Sequence, residues 1–99
     1  MKTVPSGTNE LTISGNIKSI EDSTQIKEAV DALKRGGASS LILKVQDSFS
    51  MTSTVIGFLM KQVNIDKMSI TMIVGDPRLY QLLEELSLVQ PFNIRLVER

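Results

Sequence analysis

The sequence contains no cysteine and no histidine. Without thiols no disulfide framework forms and no thiolate nucleophile exists, and the two commonest zinc ligands are both missing. A reducing, cytoplasmic setting fits that composition best. Aromatic residues are scarce, at one tyrosine and three phenylalanines, and 11 acidic residues balance 11 basic ones. There is thus no electrostatic footprint for a phosphate backbone and no stacking platform for bases, so nucleic acid is not an expected partner. No stretch approaches the roughly 20 continuous apolar residues that cross a bilayer, and "MKTVPSGTNELT" has no apolar segment of the secretion type. The expectation is a soluble protein with no direct membrane insertion, no metal and no cofactor.

What is present is an apolar fraction of 41% in 99 residues, enough for one core and too little for two, so residues 1–99 are expected to form a single domain. Leu11 and Ile13 alternate ahead of Gly15, with Ile17 beyond the break, which reads as a half-buried strand closed by a turn. The residues before it, with Pro5 and Gly7, form a short edge strand or a loose end. Asp22 followed by Gln25 reads as a helix N-cap with its reciprocal partner, and Ile26, Val30 and Leu33 then recur at helical spacing. Lys34 and Arg35 suit the last turn of that helix, and Gly36-Gly37 stops it.

"SLILKV", Ser40 to Val45, is β-branched and leucine-rich without clean alternation, which predicts a central strand covered on both faces. Ile56, Leu59, Met60 and Val63 make an i, i+3, i+4, i+7 stripe, so "MTSTVIGFLMK" becomes the start of a second helix ending near Asn64. Met68 to Val74 reads as another buried strand. Asp76 as N-cap and Pro77 at the first helical position open a third helix with the stripe Leu79, Leu82, Leu83 and Leu86. Pro91 closes that unit, and Phe92, Ile94 and Leu96 alternate against Asn93 and Arg95 in a last strand with one wet face. The pattern β(β)αβαβαβ predicts an α/β sandwich. Its sheet of four to five strands is mostly parallel, with an antiparallel N-terminal edge and three main helices.

Strand, turn, "SFSMTSTVIGFLMK" at a helix start, strand, "GDPRLYQLLEELSL" and a Phe-led final strand together resemble the plan of STAS domains. That is the fold of the bacterial anti-sigma factor antagonists. The family's hallmark, roughly Asp-Ser-Ser/Thr-Gly-Leu-Gly, falls on Thr52-Ser53-Thr54-Val55-Ile56-Gly57, and "SGNIKSIEDSTQIKEAVDAL" is similar to the family's first strand–loop–helix segment. The resemblance spans nearly the whole chain. It implies a regulatory binding module that works by partner switching, with Ser53 as the residue phosphorylated by a serine kinase that doubles as an anti-sigma factor. Thr52 and Thr54 are its neighbours. Thr52 stands in place of the family aspartate, Val55 in place of a glycine, and Lys44 and Lys18 where acids are common, which changes the local field. Thr52 and Val55 favour a rival within the same resemblance: a scaffold or accessory subunit that is not phosphorylated, stressosome-like or associated with a lipid ABC transporter.

Read without the family, the hydroxyls of Thr52, Ser53 and Thr54 either cap the helix and meet solvent, or are modified. Phe49, Ser50, Met51, Thr52, Phe58 and Lys61 are the candidate partner-binding residues. Phe58 lies off the predicted stripe, and Phe49 and Met51 either contact a partner or lid the core. Met51, Met60, Met68 and Met72 are expected mainly in or near the core. Asp47 is the acid nearest the hydroxyls and reads as a loop cap or a source of negative charge. No catalytic residue is expected: a serine nucleophile needs a base, histidine is absent, and nothing brings Lys61 to Ser53. "GDP" at Gly75–Pro77 lacks the parts of a phosphate-binding loop. Pairing of edge strands offers a route to a homodimer.

Overall fold

The computed structural model describes residues 1–97. Strands and helices follow one another as β1 (Lys2–Pro5), β2 (Glu10–Ser14), α1 (Ile20–Arg35), β3 (Ser40–Val45), α2 (Ser53–Asn64), β4 (Ser69–Val74), α3 (Pro77–Glu85) and β5 (Ile94–Leu96). The five strands form one sheet in the order β1-β2-β3-β4-β5. β1 runs antiparallel to β2 and every other neighbouring pair is parallel, so the α/β fold with an antiparallel N-terminal edge is the one expected. Among the described residues no helix is long and apolar enough to cross a membrane.

From β2 to β5 the spatial order equals the chain order. Crossovers of one hand that always step the same way put every helix on the same side of the sheet. The register agrees. Leu11 pairs with Leu43, Leu43 with Met72 and Met72 with Ile94, and all four are buried. The alternate row is Thr12, Lys44, Ile73 and Arg95, which are half-buried or exposed. β3 is central, as expected, but it is not covered on both faces: Leu41, Leu43 and Val45 are buried while Ile42 and Lys44 are half-open. An apolar run reports strand propensity as well as burial, and among the described residues no helix returns to the second face.

The helix starts depend on local bonds. α1 is capped by Ser19, not Asp22: the Ser19 hydroxyl accepts from the Asp22 N–H at 3.1 Å, and the Asp22 carboxylate accepts from the Ser19 N–H at 3.2 Å. Two overlapping capping boxes are possible in this stretch, and the earlier one gives the helix three more residues. Gln25 lies inside the helix and reaches toward the Thr3 hydroxyl at 3.5 Å. Gly37 follows the helix with φ +100°, a conformation that favours glycine.

α2 buries Val55, Leu59 and Gln62: Leu59 is core as predicted, while the rest of the stripe is shifted by one residue, Ile56, Met60 and Val63 being only partly buried. The polar Gln62 is tolerated there because its oxygen accepts from Lys34 Nζ at 2.7 Å and its amide donates to the Phe58 carbonyl at 3.5 Å. Lys34 also pairs with Asp66 at 2.8 Å, tying the C-terminal turns of α1 and α2 together. α3 begins at Asp76-Pro77 as predicted and buries Leu79 and Leu83. Leu86 is 50% exposed rather than core, because the helix ends at Glu85 and the stripe ends with it.

Candidate functional site

Parallel strands deliver their following loops to one edge of the sheet. Here the loops after β2, β3 and β4 meet there and are stitched by side chains of the middle one. Asp47 accepts from the Gly15 N–H at 2.6 Å, and the Ser48 hydroxyl accepts from the Ile17 N–H at 3.0 Å while donating to the Ser50 carbonyl at 2.6 Å. Asn16 returns a bond, its side-chain oxygen accepting from the Phe49 N–H at 3.3 Å. Ser48 is completely buried with its hydroxyl satisfied on both sides, so it is a fastener between loops. Asp47 is the loop cap its residue type suggests. Gly75 completes the edge, since a Cβ there would run into the Gln46 carbonyl oxygen.

The three hydroxyls divide into two roles. Thr52 is the N-cap of α2: its Oγ1 accepts from the Val55 N–H at 3.2 Å and lies 2.8 Å from the buried Ser23 Oγ. Ser23 Oγ also bonds the Ser19 carbonyl at 3.1 Å. A carbonyl only accepts, so the single Ser23 proton goes to Ser19 and Thr52 is the donor to Ser23. One relay therefore joins the start of α2 to the start of α1. Ser53 and Thr54, the first residues inside α2, are exposed. The stretch is both a cap and an accessible surface, on different residues.

Phe49 is 45% exposed, and the guanidinium of Arg78 lies 4.9 Å from the centre of its ring. Asp76 fixes that guanidinium by two contacts, 2.7 Å to Nη2 and 3.1 Å to Nε, and also accepts from the Arg78 N–H at 2.8 Å. These bonds hold the Asp76 carboxyl below its ordinary range and raise Arg78 above its own. The result is an aromatic–cation plate beside the hydroxyl-bearing turn, anchored on the same edge.

The other candidate contact residues are placed less favourably. Met51 is a core residue at 8% exposure, unavailable to a partner, because the chain turns inward between Ser50 and the cap. With Met68 and Met72 it fills the core as expected, and Met60 packs partly against it. Ser50 is half-buried. Phe58 is half-buried on the side of α2 that meets α1, with the Lys27 ammonium 5.9 Å from its ring centre. Lys61 is exposed but eight residues beyond Ser53, about 12 Å further along the helix. Lys44 points to the helix-free face, where it lies 3.5 Å from Glu10, so it does not alter the field at Ser53 at close range. The structure thus joins Phe49 to Arg78 and leaves Ser53 and Thr54 exposed four and five residues further along the chain from Phe49. Arg78 and Ser23 carry no local sequence signal for these contacts, since each meets its partner across 29 residues of chain.

The chain matches no protein-family model, no curated protein and no solved structure.

Proposed function

We propose that this protein is a cytoplasmic regulatory binding module of STAS type, docking a switch protein through the loop edge around Phe49 and the first turn of α2. Phosphorylation of Ser53 by that partner or its associated kinase releases it. The observation that carries the reading is the division of labour between neighbours: Thr52 holds the cap, and Ser53 beside it is exposed and not needed for it. A phosphate on Ser53 would add about −1.5 to −2 charges at the positive end of a helix, where unpaired N–H groups tolerate it. The domain stays folded, and the docked partner meets new charge and bulk. Phe49, half-exposed and backed by Arg78, supplies an apolar anchor at the same edge. The partner expected on this reading is an anti-sigma factor that is also a serine kinase.

The test is incubation with candidate serine kinases, any encoded beside the gene first, site mapping by mass spectrometry, and partner binding by Ser53→Asp. Phosphate on Ser53 and at least about tenfold weaker binding by the aspartate variant support the switch. Equal binding by both forms refutes it. The rival scaffold or transporter-subunit reading is favoured by Thr52, which gives the site a neutral, fully engaged hydroxyl in place of the family acid. It predicts tight docking with no phosphate anywhere on Thr52, Ser53 or Thr54.

A further inference from the structure

Among the described residues nothing covers the face of the sheet opposite the helices. Parallel strands are almost always buried on both sides, yet here Ile42 and Ile73, in the two innermost strands of the parallel set, are only half-buried. Val4 at 43% exposure and Val97 at 48% extend this apolar surface toward the two edges. Threonines 12 and 71 fill the row between, each with its hydroxyl engaged, by Ser6 at 3.0 Å and by Asn93 at 3.1 Å.

Charge on this face is one-sided although the whole chain is neutral. Register places Lys2 beside Ser14, Lys44 beside Thr12 and Arg95 beside Ile73, all on the open side. Among the strand residues of that side Glu10 is the sole acid, and it is already 3.5 Å from Lys44. Arg95 has no acidic partner among the described residues. Between Lys44 and Val97, at the carboxyl ends of β3 and β4, lies an open depression of about 400 Å³ lined by Lys44, Gln46, Ile73, Gly75 and Val97. Gly75 contributes no side chain there, which leaves room for a large apolar group on a floor formed by Ile73.

The geometry points to this face as a second docking surface, one that takes an acidic polypeptide segment of a partner protein, with one apolar side chain seated over Ile73 and Gly75 and carboxylates against Lys44 and Arg95. Two other covers fit less well. A second copy would bring a face of three cations and one acid against another of the same net sign. The face also offers only about 400–500 Å² at ordinary strand spacing and length, against the ~800 Å² per partner of a standard interface. An anionic membrane is bound through clusters of about four to eight basic residues or an amphipathic helix, and this face has neither. A short acidic segment matches both the sign and the size.

The test is an NMR titration of the labelled full chain with a glutamate-rich peptide carrying a central Leu-Phe pair. Its glutamine analogue and phosphatidylserine vesicles serve as comparisons. The expected result is shifts at Lys44, Ile73, Gly75, Arg95 and Val97, weaker binding of the glutamine analogue, and at least about tenfold loss of affinity in Lys44→Glu/Arg95→Glu. Ser53→Asp binds the peptide unchanged, which separates this surface from the switch edge. No shifts up to millimolar peptide, shifts at Phe49 and Ser53 instead, or equal binding of the glutamine analogue would overturn the proposal. So would vesicle binding in place of peptide binding, or a sedimenting dimer that buries this face. Because the mapping uses the unmodified chain, the outcome stands even where the double variant does not fold.

Discussion

Thr52 Oγ1 lies 2.8 Å from Ser23 Oγ, and that contact links the caps of two helices separated by a whole strand. Ser23 is 1% exposed, so its hydroxyl is costly to leave unpaired, and Thr52 and the Ser19 carbonyl between them satisfy it. Any change at one cap is therefore felt at the other.

Thr52→Ala is expected to destabilise the fold by about 1–2 kcal/mol, the cost of losing an N-cap, with the loss of the Ser23 bond included. Ser23→Ala removes the same bond from the other side. In a double-mutant cycle measured by urea unfolding the two should couple by at least about 0.5 kcal/mol, and Thr52→Ser should recover most of the loss. Strict additivity would mean that the hydroxyls do not interact in solution.

Ser53 should behave oppositely although it is the next residue. Ser53→Ala is expected to move stability by less than about 0.5 kcal/mol, as for an exposed position. Ser53→Asp is expected to raise it by about 0.3–1 kcal/mol at low salt, because an anion now sits at the first turn of α2, which carries no acid of its own. The gain should shrink as salt is added. A destabilised aspartate variant would mean that Ser53, not only Thr52, is part of the cap.

Much of the fold was legible because its signals are local. Asp76-Pro77 opens α3, Gly36-Gly37 closes α1, and Leu11 and Ile13 alternate in β2, all within a few residues of sequence. What stayed hidden depends on distant partners. Gln62 looks like a surface residue until Lys34 is brought to it, and without it the α2 stripe is read one residue out of phase. Asp22 reads as the cap of α1 and Ser19 is the cap, because Asp22–Gln25 and Ser19–Asp22 have the same spacing and only the folded chain shows which pair closes. "SLILKV" reads as doubly buried because coverage of a sheet face is set by where crossovers land. At the candidate site the hydroxyls were visible and their roles were not: the bonds to Val55 N–H and to Ser23, seen only in the folded chain, separate Thr52 from the exposed Ser53. Arg78 on Phe49 had no local mark at all.

Two glycines give a contrast that checks the packing at the loop edge. Gly75→Ala places a methyl against the Gln46 carbonyl, a backbone atom just past the end of β3, and should cost about 1–3 kcal/mol or displace the edge of β4 from β3. Gly57 lies in the middle of α2 with nothing within 4 Å of a new Cβ. Gly57→Ala should therefore stabilise by about 0.5–1 kcal/mol through helix propensity alone. Thermal unfolding of both variants at one pH decides it, and effects of the same sign would contradict this packing.

The capping box of α1 gives the chain a predictable acid response. Asp22 accepts from the N–H groups of Lys18 at 3.0 Å and Ser19 at 3.2 Å, and these bonds, the Lys18 one foremost, hold its carboxyl below the ordinary 3.8. A carboxyl with a lower pKa when folded binds more protons in the unfolded chain, so its contribution is full above the unfolded value and is lost as pH falls through the folded one. Asp76, held down chiefly by Arg78, and Glu10, held down chiefly by Ser6, act in the same direction. The thermal midpoint should thus decline as pH is lowered below about 4, with no histidine to add a slope near neutrality. Asp22→Asn should lower stability at pH 7, flatten the acid limb, and converge on the parent chain at the acid end. A variant whose acid limb runs parallel to that of the parent would show that the Asp22 carboxylate does not accept the Lys18 and Ser19 N–H groups in solution.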